Sequence, residues 1–397
     1  MAGSIGDAGV RPHVARVEAF PLAAPLPDGG YGSSMTRVPA RIATLVKITR
    51  SDGVTGWGES FGPPRVVAAH LAELAGPLVG QPADVRESFL LENLQLGYHR
   101  TTGGLHVAAL SGVDIALWDA YARTLGVPVS RLLGGQLRDR IPAYASTGYV
   151  TATRDRGEFR DQIARGIAEG FTDAKIKVGT GLAEDVARAV IARELLGPGG
   201  RLMVDYNANA TVDTVRRSLT RLRELDPYWV EEPLPPADAG GWALLRDLGV
   251  PIAAGEAVYT RYGFRDLIAE HRVDIVQPDL TKCGGFTEAK LVSQLAAAWN
   301  LRVSPHCWGT GVAQAATLQL LAALPVVPFG QTGGEPALLE FDRGYNPLRE
   351  GVLANPLTFA ASFVDVPAGP GLGIEVDEDA VRGHELDGYH LDSARSA

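Results

Sequence analysis

Residues 201–233, RLMVDYNANATVDTVRRSLTRLRELDPYWVEEP, contain one complete strand–helix–strand pattern. The apolar run at 202–205 ends in an acid and is followed by a polar turn. Behind an N-cap residue, Thr211, apolar side chains recur at spacings of three and four as far as Leu225, which predicts an amphipathic helix. A second apolar run, at 229–231, again ends in an acid. This order is typical of a parallel sheet built from βα units.

The same pattern repeats on both sides of this stretch. Eight apolar runs, each followed by a polar turn and a segment of helical length, recur about every 25 residues. The runs are residues 141–146, 174–178, 202–205, 229–231, 252–254, 275–277, 301–304 and 338–341. Eight such units over about 200 residues predict an α/β fold, a (β/α)₈ barrel of the TIM type. A doubly wound sheet is the alternative, but it requires a glycine-rich phosphate loop that is missing after the first run.

The residues before the barrel have a different pattern. Residues 41–49 are rich in alternating β-branched side chains, and a Ser-Asp-Gly turn separates them from a second short run at 54–58, which predicts a β-hairpin. Residues 65–126 are predicted to be helical, with apolar side chains on one face. A sheet followed by helices indicates an α+β domain.

These patterns divide the chain into three segments. We assign residues 13–135 to an α+β capping domain, residues 136–350 to the barrel, and residues 351–382 to a segment that returns to the cap. The last residues, 383–397, are polar, and we expect them to be frayed.

Composition excludes several classes of function. Hydrophobic residues make up 46% of the 397 residues, which excludes a disordered chain. The formal net charge of −9 argues against binding to nucleic acid or to anionic membranes, since both need a basic surface. No apolar run is long enough to span a membrane, and no secretory signal is evident. Two cysteines, Cys283 and Cys307, are predicted to be free thiols in a reducing cytoplasm.

Ionisable residues stand at the ends of the predicted barrel strands, where the active sites of such barrels lie. The second to seventh runs end at Lys175-Ile-Lys177, Asp205, Glu231, Glu256, Asp279 and His306. Asp205, Glu231 and Glu256 come from adjacent strands, so their carboxylates can converge, and three converging carboxylates need a cation. A set of ligands made only of oxygen suits Mg²⁺, whereas zinc prefers histidine or cysteine.

Candidate bases flank these acids on both sides. Lys175 and Lys177 are two residues apart in a strand, so both side chains point into the barrel. Each ammonium group should lower the pKa of the other, and a bound cation should lower both. On the far side Asp279 and His306 end neighbouring strands, where a carboxylate would fix the imidazole tautomer and raise its basicity.

A cation between two bases supports one class of reaction. A substrate carboxylate binds the cation, the adjacent C–H becomes acidic, a base removes the proton, and an enediolate forms. A group on the other face then returns a proton, as in a racemase, or protonates a leaving group, as in β-elimination. A non-catalytic barrel that binds a carboxylate ligand is an alternative of another class, but it would not need both bases.

Together these residues resemble the enolase superfamily, in its mandelate racemase subgroup. The resemblance extends from the Gly-Trp-Gly-Glu-Ser segment at 56–60 to Gly-Pro-Gly-Leu-Gly at 369–373. The motifs that carry it are Lys175-x-Lys177, Asp205-x-Asn207, Glu231-Glu-Pro233, Gly255-Glu256, Gln277-Pro-Asp279 and His306. Muconate-lactonising enzymes, a second subgroup, place a lysine where this chain has Asp279, so the racemase subgroup is favoured.

The resemblance implies roles for these residues. The implied Mg²⁺ ligands are Asp205, Glu231 and Glu256. Lys177 is the implied base, and Lys175 would lie beside the substrate carboxylate. His306 and Asp279 would form the opposite acid–base dyad.

Further substrate contacts are expected near the barrel mouth. Family members usually carry a glutamate after the eighth strand that hydrogen-bonds the enolate, and Glu340 resembles it, with Glu335 as a competitor. Asn207 is also a substrate-binding candidate. In the cap, the glycine-rich loop 27–34 is expected to close over the substrate, with Tyr31 as its candidate contact.

The segments 306–311 and 339–343 resemble the acid-sugar members of the family, in particular the galactarolactone cycloisomerase group. The resemblance therefore implies an enzyme that uses Mg²⁺ to remove the proton α to a carboxylate of an acid sugar or its lactone. β-Elimination would follow, as in a cycloisomerase or a dehydratase. A racemase or epimerase of a 2-hydroxy or amino acid derivative is the alternative. The resemblance also implies a homo-oligomer with a small-molecule carboxylate as its substrate.

Overall fold

An antiparallel sheet begins the described part of the chain, which in the computed structural model comprises residues 11–96, 99, 101–328 and 334–394. The strands in this region are β1 (Val14–Pro25), β2 (Tyr31–Gly32), β3 (Arg37–Val38), β4 (Ala40–Arg50) and β5 (Thr55–Ser60). β4 and β5 form the hairpin predicted from the Ser-Asp-Gly turn, with Leu45 opposite Glu59. β1 pairs with β4 along its whole length, and β2 forms a small separate ribbon with β3.

Helices cover one face of this sheet. They are α1 (Pro64–Leu78), α2 (Arg86–Leu96), α3 (Leu105–Thr124) and α4 (Val129–Leu132). α3 lies so close to β5 that a Cβ on Gly58 would be 2.0 Å from the carbonyl oxygen of Gly112. We expected one apolar face in this region, but α3 is buried on almost every side. The reason is that its other side packs on a helix of the barrel.

Eight parallel strands form the barrel, which confirms the predicted fold class. They are β6 (Arg140–Thr147), β7 (Ala174–Lys177), β8 (Leu202–Asp205), β9 (Pro227–Glu231), β10 (Ile252–Ala254), β11 (Ile275–Val276), β12 (Arg302–Val303) and β13 (Leu339–Asp342). The last strand, β13, pairs with the first, β6, so the strand order is that of a barrel and not of a doubly wound sheet. A side-chain hydrogen bond joins β12 to β13: Ser304 Oγ donates to the carbonyl of Leu338 at 2.9 Å.

A helix follows each strand of the barrel. They are α5 (Arg156–Ala168), α6 (Leu182–Leu196), α7 (Val212–Leu222), α8 (Ala239–Ala243), α9 (Thr260–Ala269), α10 (Gly285–Ala298), α11 (Gly311–Ala323) and α12 (Pro347–Glu350). Thr211 is the N-cap of α7, as predicted, and its hydroxyl accepts a hydrogen bond from the Thr214 amide. The predicted helix up to Leu225 ends as a short 3₁₀ turn, Arg223–Leu225.

The chain returns to the first sheet after the barrel. The remaining elements are β14 (Phe359–Ala360), β15 (Phe363–Asp365), α13 (Glu378–Gly383) and β16 (Leu391–Ala394). β15 pairs with β6 of the barrel, and β16 then pairs with β1 of the cap. The expectation of a frayed end is wrong for β16, because the Arg16–Asp392 ion pair and four register pairs hold it against β1.

None of the helices in the described ranges combines the length and the apolar character that crossing a bilayer requires.

The cap and the barrel are joined through buried polar contacts. Asp114 on α3 accepts hydrogen bonds from the Thr287 amide, at 3.0 Å, and from the Thr287 hydroxyl, at 2.6 Å, on α10. Burial raises the pKa of this carboxyl group to about 7, although the two bonds oppose the shift.

Replacing Asp114 by asparagine should flatten the dependence of stability on pH. The pKa of Asp114 is raised in the folded chain from a usual 3.8, so the unfolding free energy falls as pH rises between the two values. From pH 5 to 7 the wild type should lose about 2 kcal/mol relative to Asp114→Asn, measured by urea unfolding. The same exchange at the exposed Asp213 should leave the slope unchanged. Equal slopes for the wild type and Asp114→Asn would contradict the assignment.

Candidate active site

The carboxyl ends of the barrel strands place the acids at one level of the barrel mouth. In the parallel register Lys177 on β7 lies beside Asp205 on β8, and Asp205 lies beside Glu231 on β9. Glu256 follows β10 by two residues. Ligand atoms of the three acids lie within 4.8 Å of one another. The sequence-predicted triad is therefore assembled by strand register, and we call Asp205, Glu231 and Glu256 the acid triad.

Buried oxygen atoms without hydrogen-bond partners surround the acid triad. Within the described part of the chain these include Asn207 Oδ1, Glu232 Oε1 and Gln277 Oε1. Buried polar atoms in proteins are normally hydrogen-bonded, so such a group points to a missing ligand. A hard cation with bound water would satisfy oxygen donors of this kind. The donor set thus fits a divalent cation such as Mg²⁺.

Both lysines of β7 reach the inside of the barrel. Lys175 Nζ contacts Glu231 and lies 2.8 Å from Glu340 Oε1. Lys177 Nζ donates to Asp205 Oδ2 at 2.5 Å. The two ammonium groups are therefore the counter-charges of the acids in the mouth.

The acids around the two lysines oppose the expected lowering of the lysine pKa values, and the lowering by a bound cation stays a prediction. Burial and the ammonium of Lys175 lower the pKa of Lys177, but the carboxylates of Asp205, Glu256 and Glu340 together raise it above its usual value. Burial likewise lowers the pKa of Lys175, whereas Glu231 and Glu340 raise it well above the usual value. The sequence revealed the neighbouring lysines but not how close each acid lies.

The dyad forms on the opposite side of the acid triad. His306 Nδ1 is 2.7 Å from Asp279 Oδ2, and the other oxygen of Asp279 accepts from the amide and hydroxyl of Thr281. This leaves Nε2 of His306 directed at the acid triad, 3.2 Å from Glu256 Oε2. Burial lowers the pKa of His306, but Glu256, Glu340 and Asp279 together raise it above its usual value.

The two candidates for the glutamate after the eighth strand lie at opposite ends of the barrel. Glu340 is buried in the mouth, where Oε2 accepts from the amide of Cys307 at 3.2 Å and Oε1 faces Lys175. Burial raises the pKa of Glu340, but Lys175 and His306 lower it to about 2. Glu335 instead contacts Tyr228 and Arg302, far from the acid triad.

Asn207 and Tyr31 have different surroundings. Asn207 lies two residues after Asp205 and has a left-handed backbone conformation, with φ of 47°. Its backbone N–H donates to Asp205 Oδ1 at 2.7 Å. Tyr31 donates its hydroxyl to the carbonyl of Tyr345 at 2.8 Å, and its ring packs on Tyr149. Tyr31 thus contacts Tyr149, whose ring lies 5.9 Å from Lys177 Nζ, and the role of Tyr31 in substrate binding stays a prediction.

The cap loop lies across the barrel mouth. Gly32 and Val150, which follows β6, exchange two backbone hydrogen bonds at 3.0 and 2.9 Å. Ser34 Oγ lies 3.4 Å from the carbonyl oxygen of Tyr206, which follows β8. The loop thus spans the ends of two barrel strands.

Three residues of the mouth had no role in the sequence analysis. Trp229 Nε1 and Gln277 Nε2 donate to Glu231 Oε2 at 3.0 and 2.8 Å, so they orient one acid of the triad. The ring of Tyr149 lies 5.9 Å from Lys177 Nζ. Gln277 belongs to the Gln277-Pro-Asp279 motif, and Tyr149 follows the first barrel strand. Their positions in the sequence could therefore have identified both as candidate residues of the mouth.

Comparison with known proteins agrees with this geometry. The family model described as enolase C-terminal domain-like matches residues 158–380. The model of the mandelate racemase / muconate lactonizing enzyme N-terminal domain matches residues 24–134. Together the two models cover the cap and most of the barrel.

Relatives match over almost the full chain. D-galactarolactone cycloisomerase of Agrobacterium fabrum is 39% identical over 89% of this chain and 94% of its own length. D-galactonate dehydratase of Variovorax paradoxus is 30% identical over 85% of this chain and 89% of its own length. The crystal structure of 3,6-anhydro-D-galactonate cycloisomerase from Zobellia galactanivorans superposes with a TM-score of 0.85 and 31% identity, covering 94% of this chain and 100% of that one. The chain belongs to the mandelate racemase / muconate lactonizing enzyme family and is an enzyme of the enolase superfamily.

Proposed function

We propose that this enzyme uses Mg²⁺ to convert an acid sugar or its lactone to a 3-deoxy-2-keto acid by β-elimination. The observation that carries the proposal is the position of two proton-transfer groups on opposite sides of the acid triad. Lys177 contacts the triad at Asp205, and His306 faces it at Glu256. One group can therefore act on the α-carbon and the other on the opposite face of the substrate.

Asp205, Glu231 and Glu256 are the residues that would hold Mg²⁺. When bound there, Mg²⁺ supplies positive charge that acidifies the C–H beside a substrate carboxylate and lowers the pKa values of the neighbouring lysines. Trp229 and Gln277 fix the orientation of Glu231 through its second oxygen.

Lys177, as a neutral amine, accepts the α-proton, and the electron pair of the C–H bond moves towards the carboxyl group. Lys175 is fully buried and supplies a fixed positive charge for that carboxyl group as its negative charge grows. Glu340 holds the Lys175 ammonium from the side and also accepts the Cys307 amide bond. These contacts keep the charged groups in place before the substrate binds.

His306 completes the reaction on the other face. Its Nε2–H protonates the β-oxygen as the C–O bond breaks and the α,β double bond forms, and Asp279 stabilises the imidazolium before the transfer. From a lactone the protonated leaving oxygen stays attached as part of a new carboxyl group, so the overall reaction is an isomerisation. From an open acid the leaving oxygen departs as water. The resulting enol then tautomerises to the 2-keto acid.

The names of the relatives favour elimination over racemisation. The relatives at 39% and 30% identity are a D-galactarolactone cycloisomerase and a D-galactonate dehydratase, and a structural neighbour is a 3,6-anhydro-D-galactonate cycloisomerase. A racemase would use the same Lys177 and His306, but it would return the proton to the α-carbon.

The purified enzyme with Mg²⁺ should turn over D-galactarolactone or D-galactonate. In D₂O, NMR should show loss of the α-proton together with formation of a 3-deoxy-2-keto acid. α-Proton exchange or inversion without keto acid across a panel of acid sugars and lactones would favour an epimerase. No exchange and no keto acid from any member of the panel would contradict the proposal.

Replacing either proton-transfer group should abolish turnover. Lys177→Ala and His306→Ala should each lower kcat by about 10³-fold or more, because one proton transfer loses its carrier. Both variants should still bind Mg²⁺, since the acid triad is intact. Lys290→Ala on the outer helix α10 is the matched control and should keep wild-type activity. Near-normal kcat in either active-site variant would rule out its assigned role.

Replacing Glu231 by glutamine should weaken Mg²⁺ binding by about 10-fold or more, because the ion loses one anionic ligand. Saturation at 100 times Kd stabilises the folded enzyme by about 2.7 kcal/mol, which appears as a rise in Tm. The Tm of Glu231→Gln should rise only at much higher Mg²⁺ concentration. Asp392→Asn alters a second acidic group in the cap, with Glu18 and His390, and should leave the Mg²⁺ response unchanged. The site would be refuted if Asp392→Asn, and not Glu231→Gln, raised the Mg²⁺ concentration that the increase in Tm requires.

A further inference from the structure

The loop that carries His306 is held by side chains of the cap. We propose that Arg41 and Glu59 are positioning residues for His306, so that these two contacts of the cap govern the proton transfer of His306 and leave that of Lys177 in place. This inference rests on the proposed function, because it assigns the two residues to one half of that reaction.

Glu59 holds the end of the His306 loop. It stands near the end of β5 and is only 2% exposed. Its carboxylate accepts hydrogen bonds from the Thr310 amide at 3.0 Å, the Thr310 hydroxyl at 2.6 Å and the Ala313 amide at 3.0 Å. These donors belong to the first turn of α11, where a negative charge is favourable. A residue of the cap therefore caps a helix of the barrel.

The contact between Glu59 and the loop is close. A Cβ added to Gly309 would lie 2.4 Å from Glu59 Oε1 and 2.6 Å from the Cβ of Ala313, so any larger residue would have to displace Glu59 or the start of α11. Gly309 is three residues from His306 in the chain. Movement of Glu59 is thus transmitted to the histidine over a short, tightly packed segment.

Arg41 holds the middle of the same loop. It lies on β4, next to β5, and is 3% exposed. Its NH2 group donates to the carbonyl of Trp308 at 2.6 Å, and its guanidinium lies 3.5 Å from the centre of the Trp308 ring. Its NH1 group is 3.3 Å from Asp342 Oδ2 at the end of β13. Arg41 therefore fixes the His306 loop to the neighbouring strand.

Lys177 is held differently. Its ammonium donates to Asp205, and its backbone amide donates to the carbonyl of Gly148, both in the barrel. Lys175 beside it contacts Glu231 and Glu340, which are also barrel residues. The hydrogen bonds of Lys177 itself thus stay within the barrel, whereas Arg41 and Glu59 of the cap hold the His306 loop.

This asymmetry predicts separable effects on the two proton transfers. A shift of about 1 Å in a reacting group can lower its rate by two orders of magnitude. Loosening the cap contacts should displace His306 from the leaving group while Lys177 keeps its place. The α-proton should then still exchange with solvent through Lys177, whereas elimination slows.

The test compares two rates in the Mg²⁺-loaded full-length enzyme with D-galactarolactone in D₂O. NMR follows exchange of the α-proton, and a keto-acid assay follows elimination. Glu59→Gln keeps the size of the side chain but removes its charge, and Arg41→Met removes the guanidinium. Both should lower elimination by at least about 10-fold and exchange by less than about 3-fold.

Asp119→Asn is the matched control. Asp119 is also a buried carboxylate of the cap, but it accepts the amides of Trp57 and Leu372, away from the His306 loop. This variant should leave the ratio of the two rates at its wild-type value. An equal fall of both rates in Glu59→Gln, or the same change of ratio in Asp119→Asn, would overturn the inference.

A readout that does not need turnover separates this inference from the proposed function. The ¹H–¹⁵N resonances of the His306 imidazole should shift in Glu59→Gln and stay unchanged in Asp119→Asn. Thr310→Val, which removes one donor and leaves the Glu59 carboxylate, is the milder variant if Glu59→Gln fails to fold, and it should shift the same resonances. Unchanged resonances would reject the positioning role even if the wild type is fully active. An inactive wild type with shifted resonances would reject only the reaction.

Discussion

Lys175 is completely buried and contacts Glu231 and Glu340, and Asp205 lies 3.8 Å away. An uncompensated charge in such a place would cost several kcal/mol, so each acid of the mouth needs a cationic partner. The acids outnumber the lysines, and buried oxygens around them lack hydrogen-bond partners. A divalent cation and a substrate carboxylate held near Lys175 are the additions that this charge distribution favours. The same buried charges therefore underlie the proposed metal and substrate class and the raised pKa values of the lysines.

The sequence predicted what depends on local pattern. Strand positions follow from apolar runs, and parallel strands bring their carboxyl ends to one mouth, so the acid triad and the dyad could be placed without coordinates. The pKa directions of the lysines could not, since they depend on which acid lies within about 4 Å. The choice between Glu335 and Glu340 depended on which end of the last strand each occupies. The cap contacts join residues more than 250 positions apart, and no local pattern marks such pairs.

The two halves of the barrel mouth are built by different means. On the lysine side, β7, β8 and β9 have four or five residues each, and the unbroken ladder between β7 and β8 sets Lys177 beside Asp205. On the histidine side, β11 and β12 have two residues each, and β12 is tied to β13 by the Ser304 hydroxyl. A short ladder gives the following loop little support. The side chains of the cap supply what the ladder lacks, which explains why buried charged residues of the cap contact this loop.

The last strand of the chain belongs to the same construction. β16 pairs with β1, and β1 pairs along its length with β4, which carries Arg41 and forms the hairpin with the Glu59 strand. Lys47 on β4 forms an ion pair of 2.6 Å with Glu378, in the segment that follows the barrel. A β-hairpin alone is marginally stable in water, so the added strand and this ion pair give the sheet the rigidity that its two inward-facing side chains need. The polar end of the chain, although distant from the barrel mouth in sequence, therefore belongs to the same sheet as Arg41 and Glu59.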